Sequence, residues 1–300
     1  MPAVRISTRD MLNGLLVEEA MRRQVIHLPH DATLRNCINL LIKFKANALL
    51  VVDHARPIGI VSKTDIVGAF YGGLPIEESK LMDIMNGPLL TCFPDDELSV
   101  ALDLMRENGV HQLFVRGAEL NTVVGMLSYL DVVALLYRYC RACPKGAARW
   151  SERPDLSDRT QLLVVRDAMK SPAISCRQGD SLAKVIEELT AHRLGALLVE
   201  EVQGSAAGVV SKTDIVVAYN HGSDLEVEAR SIMKAPVASC DERSLLSDAI
   251  RHMFLKDVQR LFVYAEAPSR IVGVLSLSDA AQIRSGSCRA CSASRIIAAS

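Results

Sequence analysis

Gly59 to Val67 reads GIVSKTDIV, and Gly208 to Val216 reads GVVSKTDIV. Two weaker forms accompany them, GMLSYLDVV from Gly125 and GVLSLSDAA from Gly273. The shared pattern is a glycine, two aliphatic residues, a serine, two variable residues and an aspartate. A pattern that returns four times in one chain is the mark of a repeat architecture, so the repeat unit decides the fold.

Each copy follows a methionine at a nearly constant distance: Met21, Met85, Met169 and Met233 stand 38, 40, 39 and 40 residues before their glycines. Met21 and Met85 are 64 apart, as are Met169 and Met233, and Met21 and Met169 differ by 148. The chain is a tandem pair that has been duplicated. Within one unit, a short apolar stretch after the methionine suggests a strand. Apolar residues then recur at helical spacing from Leu34, Leu98, Leu182 and Leu246. The short aliphatic runs ALLVV, QLFV, ALLVE and RLFVY are strand candidates, bounded by polar or glycine-containing turns. A further strand ends in the Gly-aliphatic-aliphatic-Ser element, and a helix starts at the serine. The expected fold class is therefore α/β, with four β-α-β-β-α units packed as two tandem pairs. A lone unit of about 60 residues would be marginally stable, which favours pairing.

The expected domains are a first module at 1–143, a linker at 144–164 and a second module at 165–300. The units within them span about 17–73, 81–140, 165–222 and 229–288. The linker is polar and lacks helical period, and Trp150 within it reads as a packing anchor. Units one and three share SKTDIV, whereas units two and four carry a bulkier LFV strand and lack the lysine, so odd and even units are expected to differ in role.

Lys plus Arg total 34 against 35 for Asp plus Glu, without the basic excess of a dedicated nucleic-acid binder, so no nucleic-acid partner is expected. The absence of a long apolar run argues against a membrane partner and for a cytoplasmic protein. Eight cysteines in 300 residues are too dilute for a disulfide scaffold. Cys92, Cys176 and Cys240 each lie seven residues after a repeat methionine, where unit one has Leu28, and read as core residues.

Two readings fit the Ser-x-x-Asp elements, Ser62 with Asp65, Ser128 with Asp131, Ser211 with Asp214 and Ser276 with Asp279. One is a helix-capping box, contributing about 1 kcal/mol with no ligand. The other uses the preceding glycine for close approach of a ligand, the helix N-terminus for a phosphate and the carboxylate for a ribose diol. Lys63 and Lys212 would add charge for the phosphate or stand as solvated surface lysines. His111 and Arg260, ahead of the LFV strands, would reach a phosphate across the pair or sit half-exposed at strand ends.

Four units of this form resemble cystathionine β-synthase (CBS) domains, two tandem pairs of which make two Bateman modules. The resemblance implies a regulatory, non-catalytic sensor that binds AMP, ADP, ATP or S-adenosylmethionine in clefts between paired units. It implies phosphate and ribose contacts from the four Ser-x-x-Asp pairs, with the adenine near Val25 and Ile26, or Ala173 and Ile174. A sensor without an attached enzyme would act on a separate regulated partner or through its own assembly. The two halves would pack within one chain, or each chain would form a homodimer.

The motif CRAC remains, at Cys140 and Cys143 and again at Cys288 and Cys291. Its offset of 148 equals that of the duplication. C-x-x-C can ligate zinc or an iron–sulfur cluster, can cycle to a disulfide, or can persist as inert thiols. The alternative function is a metal- or redox-linked regulator with the four units as scaffold; a third is an assembly module that binds no small molecule.

Overall fold

In the computed structural model, residues 12, 14–119, 122–142, 162–201 and 204–283 are described. The first unit runs α1 (Val17–Ala20), β1 (His27–Pro29), α2 (Leu34–Lys43), β2 (Ala48–Asp53), β3 (Arg56–Ser62) and α3 (Lys63–Tyr71). The second runs β4 (Thr91–Cys92), α4 (Leu98–Glu107), β5 (Gln112–Arg116), β6 (Val123–Ser128) and α5 (Tyr129–Ala142). The third runs β7 (Ser175–Arg177), α6 (Leu182–Ala191), β8 (Ala196–Glu200), β9 (Ala206–Ser211) and α7 (Lys212–Asn220). The fourth runs β10 (Ser239–Asp241), α8 (Leu246–Lys256), β11 (Arg260–Tyr264), β12 (Ile271–Ser276) and α9 (Leu277–Gln282).

The fold is mixed α/β, with four three-stranded sheets. In each, the aliphatic run is the central strand, parallel to the short first strand and antiparallel to the third. The long helices begin at Leu34, Leu98, Leu182 and Leu246, where the apolar spacing places them, and each buries the residues of that stripe.

The repeat written along the chain is not the unit that packs. The stretch leading into each repeat crosses to the sister unit. Leu12 and Val17 lie in the core of units two and four, and Val165 lies there too, while Leu81 and Ala229 lie in the core of units one and three. Backbone bridges fix the crossing, with Leu16 against Glu97, Lys80 against Thr33, Val164 against Leu245 and Glu228 against Ser181. The methionines follow. Residues Arg22, Asn86, Lys170 and Lys234, one past each methionine, form antiparallel bridges with Met126, Ile60, Val274 and Val209 of the sister unit.

That bridge lies against the repeat glycine. A Cβ on Gly208 would stand 2.9 Å from both the Lys234 carbonyl oxygen and the Met233 Sδ. Gly59 faces Met85 and Asn86, Gly125 faces Met21 and Arg22, and Gly273 faces Met169 and Lys170 in the same way. Close approach at the glycine is thus made by a segment of the sister unit.

Sister units one and two also meet sheet to sheet, through Leu50, Phe114 and Met126. The two halves join through helices. Units one and three share one core and units two and four the other. Phe70 of α3 stacks on Tyr219 of α7 at 4.7 Å, and Tyr137 of α5 meets Phe254 of α8 edge-on at 5.9 Å. The four units close into a ring within one chain, the first of the two packings open at the sequence level.

Gly208→Ala is expected to destabilise the protein by roughly 1–3 kcal/mol, because the new methyl must push backbone and sulfur apart in a packed contact. Urea denaturation of the variant checks this; a midpoint equal to the parent's would mean that the contact yields freely.

Candidate functional site

Each Ser-x-x-Asp element is a helix cap whose carboxylate has two different oxygens. Oδ2 accepts from the backbone N–H of its serine, at 2.7 Å for Asp65, 2.9 Å for Asp131, 2.8 Å for Asp214 and 2.9 Å for Asp279. The serine hydroxyls of Ser62, Ser128, Ser211 and Ser276 donate to the same oxygens. The capping reading therefore accounts for Oδ2 and leaves Oδ1.

Oδ1 faces the sister unit. Arg22 Nε stands 2.8 Å from Asp131 Oδ1 and Lys234 Nζ 2.9 Å from Asp214 Oδ1. Lys170 Nζ stands 3.1 Å from Asp279 Oδ1, an ion pair without hydrogen-bond alignment. Asn86 Nδ2 donates to Asp65 Oδ1 at 2.7 Å. The sequence reading passed over these four residues; their signal was a polar side chain immediately after every repeat methionine.

The lysines beside the serines differ in burial, Lys63 being buried and Lys212 half-buried, and each has a partner across the seam. Lys63 is 8 % exposed and donates to Thr213 Oγ1 at 2.9 Å and to Asn47 Oδ1 at 3.4 Å. Lys212 returns the contact to Thr64 Oγ1 at 2.8 Å. These crossed lysine–threonine bonds tie α3 to α7 at their N-termini. The equivalent residues in even units, Tyr129 and Leu277, lie in the apolar core instead, which is how odd and even units differ here.

Strand register corrects the pairing of His111 with Arg260. Gln112 stands opposite Ser128 as Arg260 stands opposite Ser276, so Gln112 is the equivalent of Arg260. Gln112 is buried and its Nε2 has no hydrogen-bond partner. His111 precedes the strand and meets Tyr129 edge-on at 5.9 Å. Arg260 lies over Gly195, where a Cβ would come 2.4 Å from its Nη2; the missing side chain at Gly195 makes its seat. Asn47 Nδ2 donates to Gln259 Oε1 at 3.3 Å, so units one and four also touch across the middle of the ring.

This middle is rich in cations that feel one another. Burial pushes Lys63 down to about 8, with Asp214 opposing and Lys234 adding to the fall. Burial and then Arg260 lower Lys212, and Asp65 opposes. Burial lowers His111, helped by Lys212, Arg260 and Lys170. Burial pushes Arg260 down to about 10 against the pull of Asp279 and Asp214. Such a convergence is suited to a bound anion, which would relieve both the desolvation and the mutual repulsion.

Val25, Ile26, Ala173 and Ile174 are partly buried just ahead of β1 and β7. The carbonyls of Ile26 and Ile174 accept from Leu50 and Leu198 at 2.9 and 3.2 Å, extending the parallel pairing by one residue. Cys92, Cys176 and Cys240 are buried thiols pushed up to about 12, 11 and 12, chiefly by desolvation. Cys140 is buried in α5, and Cys143, Cys288 and Cys291 lie outside the described residues, as does Trp150. Among the described residues no group of three or more His, Cys, Asp or Glu side chains has the arrangement to hold a metal ion, and no helix is long and apolar enough to cross a membrane.

The family model of the CBS domain matches residues 17–72, 81–138, 165–221 and 229–286, and the chain belongs to the CBS domain family. An uncharacterised protein of Methanocaldococcus jannaschii is 23 % identical over 251 residues, covering 81 % of this chain and 58 % of its own length. The 5'-AMP-activated protein kinase subunit gamma-3 of Sus scrofa is 25 % identical over 206 residues, covering 65 % of this chain and 38 % of its own. The chain thus spans little more than half of the first relative and less than half of the second. The crystal structure of protein MJ1225 from M. jannaschii, described as a proposed archaeal homologue of g-AMPK, shares the fold with a TM-score of 0.74 and 19 % identity, covering 89 % of this chain and 99 % of that one.

The buried lysine gives a pH dependence. Its folded-state value of about 8 lies below its ordinary value of 10.5, so between these limits the unfolded chain holds more protons and stability rises with pH. Lys63→Met lacks this dependence. The stability of the parent relative to the variant is expected to be level below about pH 8 and to rise from there toward 10.5, followed by urea denaturation at stepped pH. A difference that stays flat across that window would show that Lys63 is not desolvated.

Proposed function

We propose that this protein is a regulatory sensor that binds adenine nucleotides between sister units and reports their level to a separate partner. The observation that carries the reading is the two-faced carboxylate. In all four units one aspartate oxygen is held by the cap, and the other, pointed at the sister unit and met there by Arg22, Asn86, Lys170 or Lys234, is the one a ribose diol would reach by displacing that side chain. The cations Lys63, Lys212 and Arg260, with the His111 imidazole as a neutral hydrogen-bonding neighbour, supply the complement for phosphate. Val25 and Ile26 in the first half, and Ala173 and Ile174 in the second, offer apolar side chains for the adenine. Similarity to a subunit of a 5'-AMP-activated kinase supports AMP among the ligands and a regulatory, non-catalytic role.

A ligand seated there touches one unit through the carboxylate and its sister through the residue after the methionine. It can shift the arrangement of the units only by the difference in its affinity for the two states, so nucleotides that compete for one cleft and fit these states unequally provide the signal. The partner, in this reading, is a protein that distinguishes those states.

A thermal-shift panel of AMP, ADP, ATP, S-adenosylmethionine and NAD tests the reading. A ligand at 100 times its Kd is expected to add about 2.7 kcal/mol of stability. Calorimetry on Asp214→Asn, which keeps the size of the side chain, should then record a loss of roughly tenfold or more in affinity or the loss of one site. A panel in which no adenosyl compound raises the melting temperature would overturn the proposal.

A further inference from the structure

Units one and three carry the same SKTDIV segment, and their aspartates are capped alike, yet Oδ1 is closed by a neutral amide in one and by a cation in the other. We propose that the residue after each repeat methionine sets the charge of the ligand its cleft accepts: the Asp214 cleft, closed by Lys234, selects phosphorylated nucleosides, and the Asp65 cleft, closed by Asn86, takes the nucleoside without phosphate. This assignment rests on the nucleotide reading above and sharpens it.

The argument turns on which member of each pair can move. The side chains of Arg22, Lys170 and Lys234 are 52, 67 and 75 % exposed, while their aspartates Asp131, Asp279 and Asp214 are 8, 5 and 6 % exposed. The carboxylate is fixed by its cap and the cation is the mobile partner. A ribose hydroxyl that donates to Oδ1 displaces that cation from its counterion. A phosphate on the same ligand gives the cation a new partner, so charge is conserved across the exchange. A bare nucleoside offers none, and the cation competes with it for the oxygen.

At Asp65 the exchange is neutral. A hydroxyl replaces the Asn86 amide as donor, one hydrogen bond for another, and no charge is separated. Asp65 is also the least buried of the four carboxylates, being half-buried where the others are buried. Lys212, a cation on which Asp65 acts, is held by Thr64 beside that aspartate in α3. Asp214, by contrast, lies in the field of Lys63 and Arg260 in addition to Lys234. Two clefts related by the pseudo-symmetry of the ring therefore differ in net charge through a residue outside the shared motif.

The test exchanges the two residues. Adenosine and AMP are titrated by calorimetry into the full-length parent, Asn86→Lys and Lys234→Asn; both positions are exposed, and thermal melting verifies folding of each variant. Asn86→Lys is expected to weaken adenosine by roughly tenfold and to add AMP binding at that cleft, and Lys234→Asn to weaken AMP by about tenfold at the Asp214 cleft and to add adenosine binding there. Adenosine and AMP affinities that stay as in the parent, or that move together in both variants, would overturn the assignment while leaving the nucleotide reading intact. A parent that binds neither compound would remove both.

Discussion

Everything in this fold hangs on four places where a glycine has no side chain. At Gly59, Gly125, Gly208 and Gly273 the backbone of the third strand is open enough for the sister unit's methionine sulfur and the next carbonyl to lie within about 3 Å of where a Cβ would be. The third strand carries an extra residue there, facing the steps Val51 to Val52, Val115 to Arg116, Val199 to Glu200 and Val263 to Tyr264 of the central strands, directly after the glycine's partner in each. The bridge that forms in this gap makes two marginal units into one body. It also sets the site, because the residue that follows the methionine emerges from the bridge directly against the capped aspartate.

Two of the bridge residues, Lys234 and Lys170, add their charge to the buried cluster, acting on Lys63 and His111. Burying Lys63 and Arg260 costs desolvation; Lys234 adds to that cost at Lys63, while Asp214 opposes it at both and Asp279 at Arg260. The carboxylates nearby each give one oxygen to a cap, which leaves one for the cations. A structure built only for stability would place apolar residues here, as units two and four do with Tyr129 and Leu277 at the helix starts. The contrast between the odd and even interfaces is a contrast between a polar seam, held by lysine–threonine exchange, and an apolar one, held by packing.

Much of this was legible in the chain. The four helix starts at Leu34, Leu98, Leu182 and Leu246 follow from the apolar period, and the central strands from their aliphatic runs, because both are local signals. The caps were legible for the same reason. The crossing of each lead-in to its sister was not. The distance from methionine to glycine is nearly constant within a unit, which suggests an internal contact, but an exact repeat produces that constancy whichever copy the methionine touches. Met21 meets Gly125 and Met85 meets Gly59, a choice made by packing and invisible to spacing. The same ambiguity hid Arg22, Asn86, Lys170 and Lys234, whose partners lie in another unit, and it let His111 stand in for Gln112 until strand register separated them.

The duplication explains why the four sites are alike, and the ring explains why they need not stay alike. Each cleft takes its carboxylate from one unit and its closing residue from another, so the two can diverge independently without disturbing the cap, the glycine or the bridge. The serine and aspartate are held by helix capping as well as by any ligand they bind, which constrains them doubly. The exposed residue after the methionine has no part in the cap, since its backbone makes the bridge and its side chain only closes the free oxygen of the aspartate. That freedom is where a fourfold repeat can acquire sites of different charge while its architecture remains fixed.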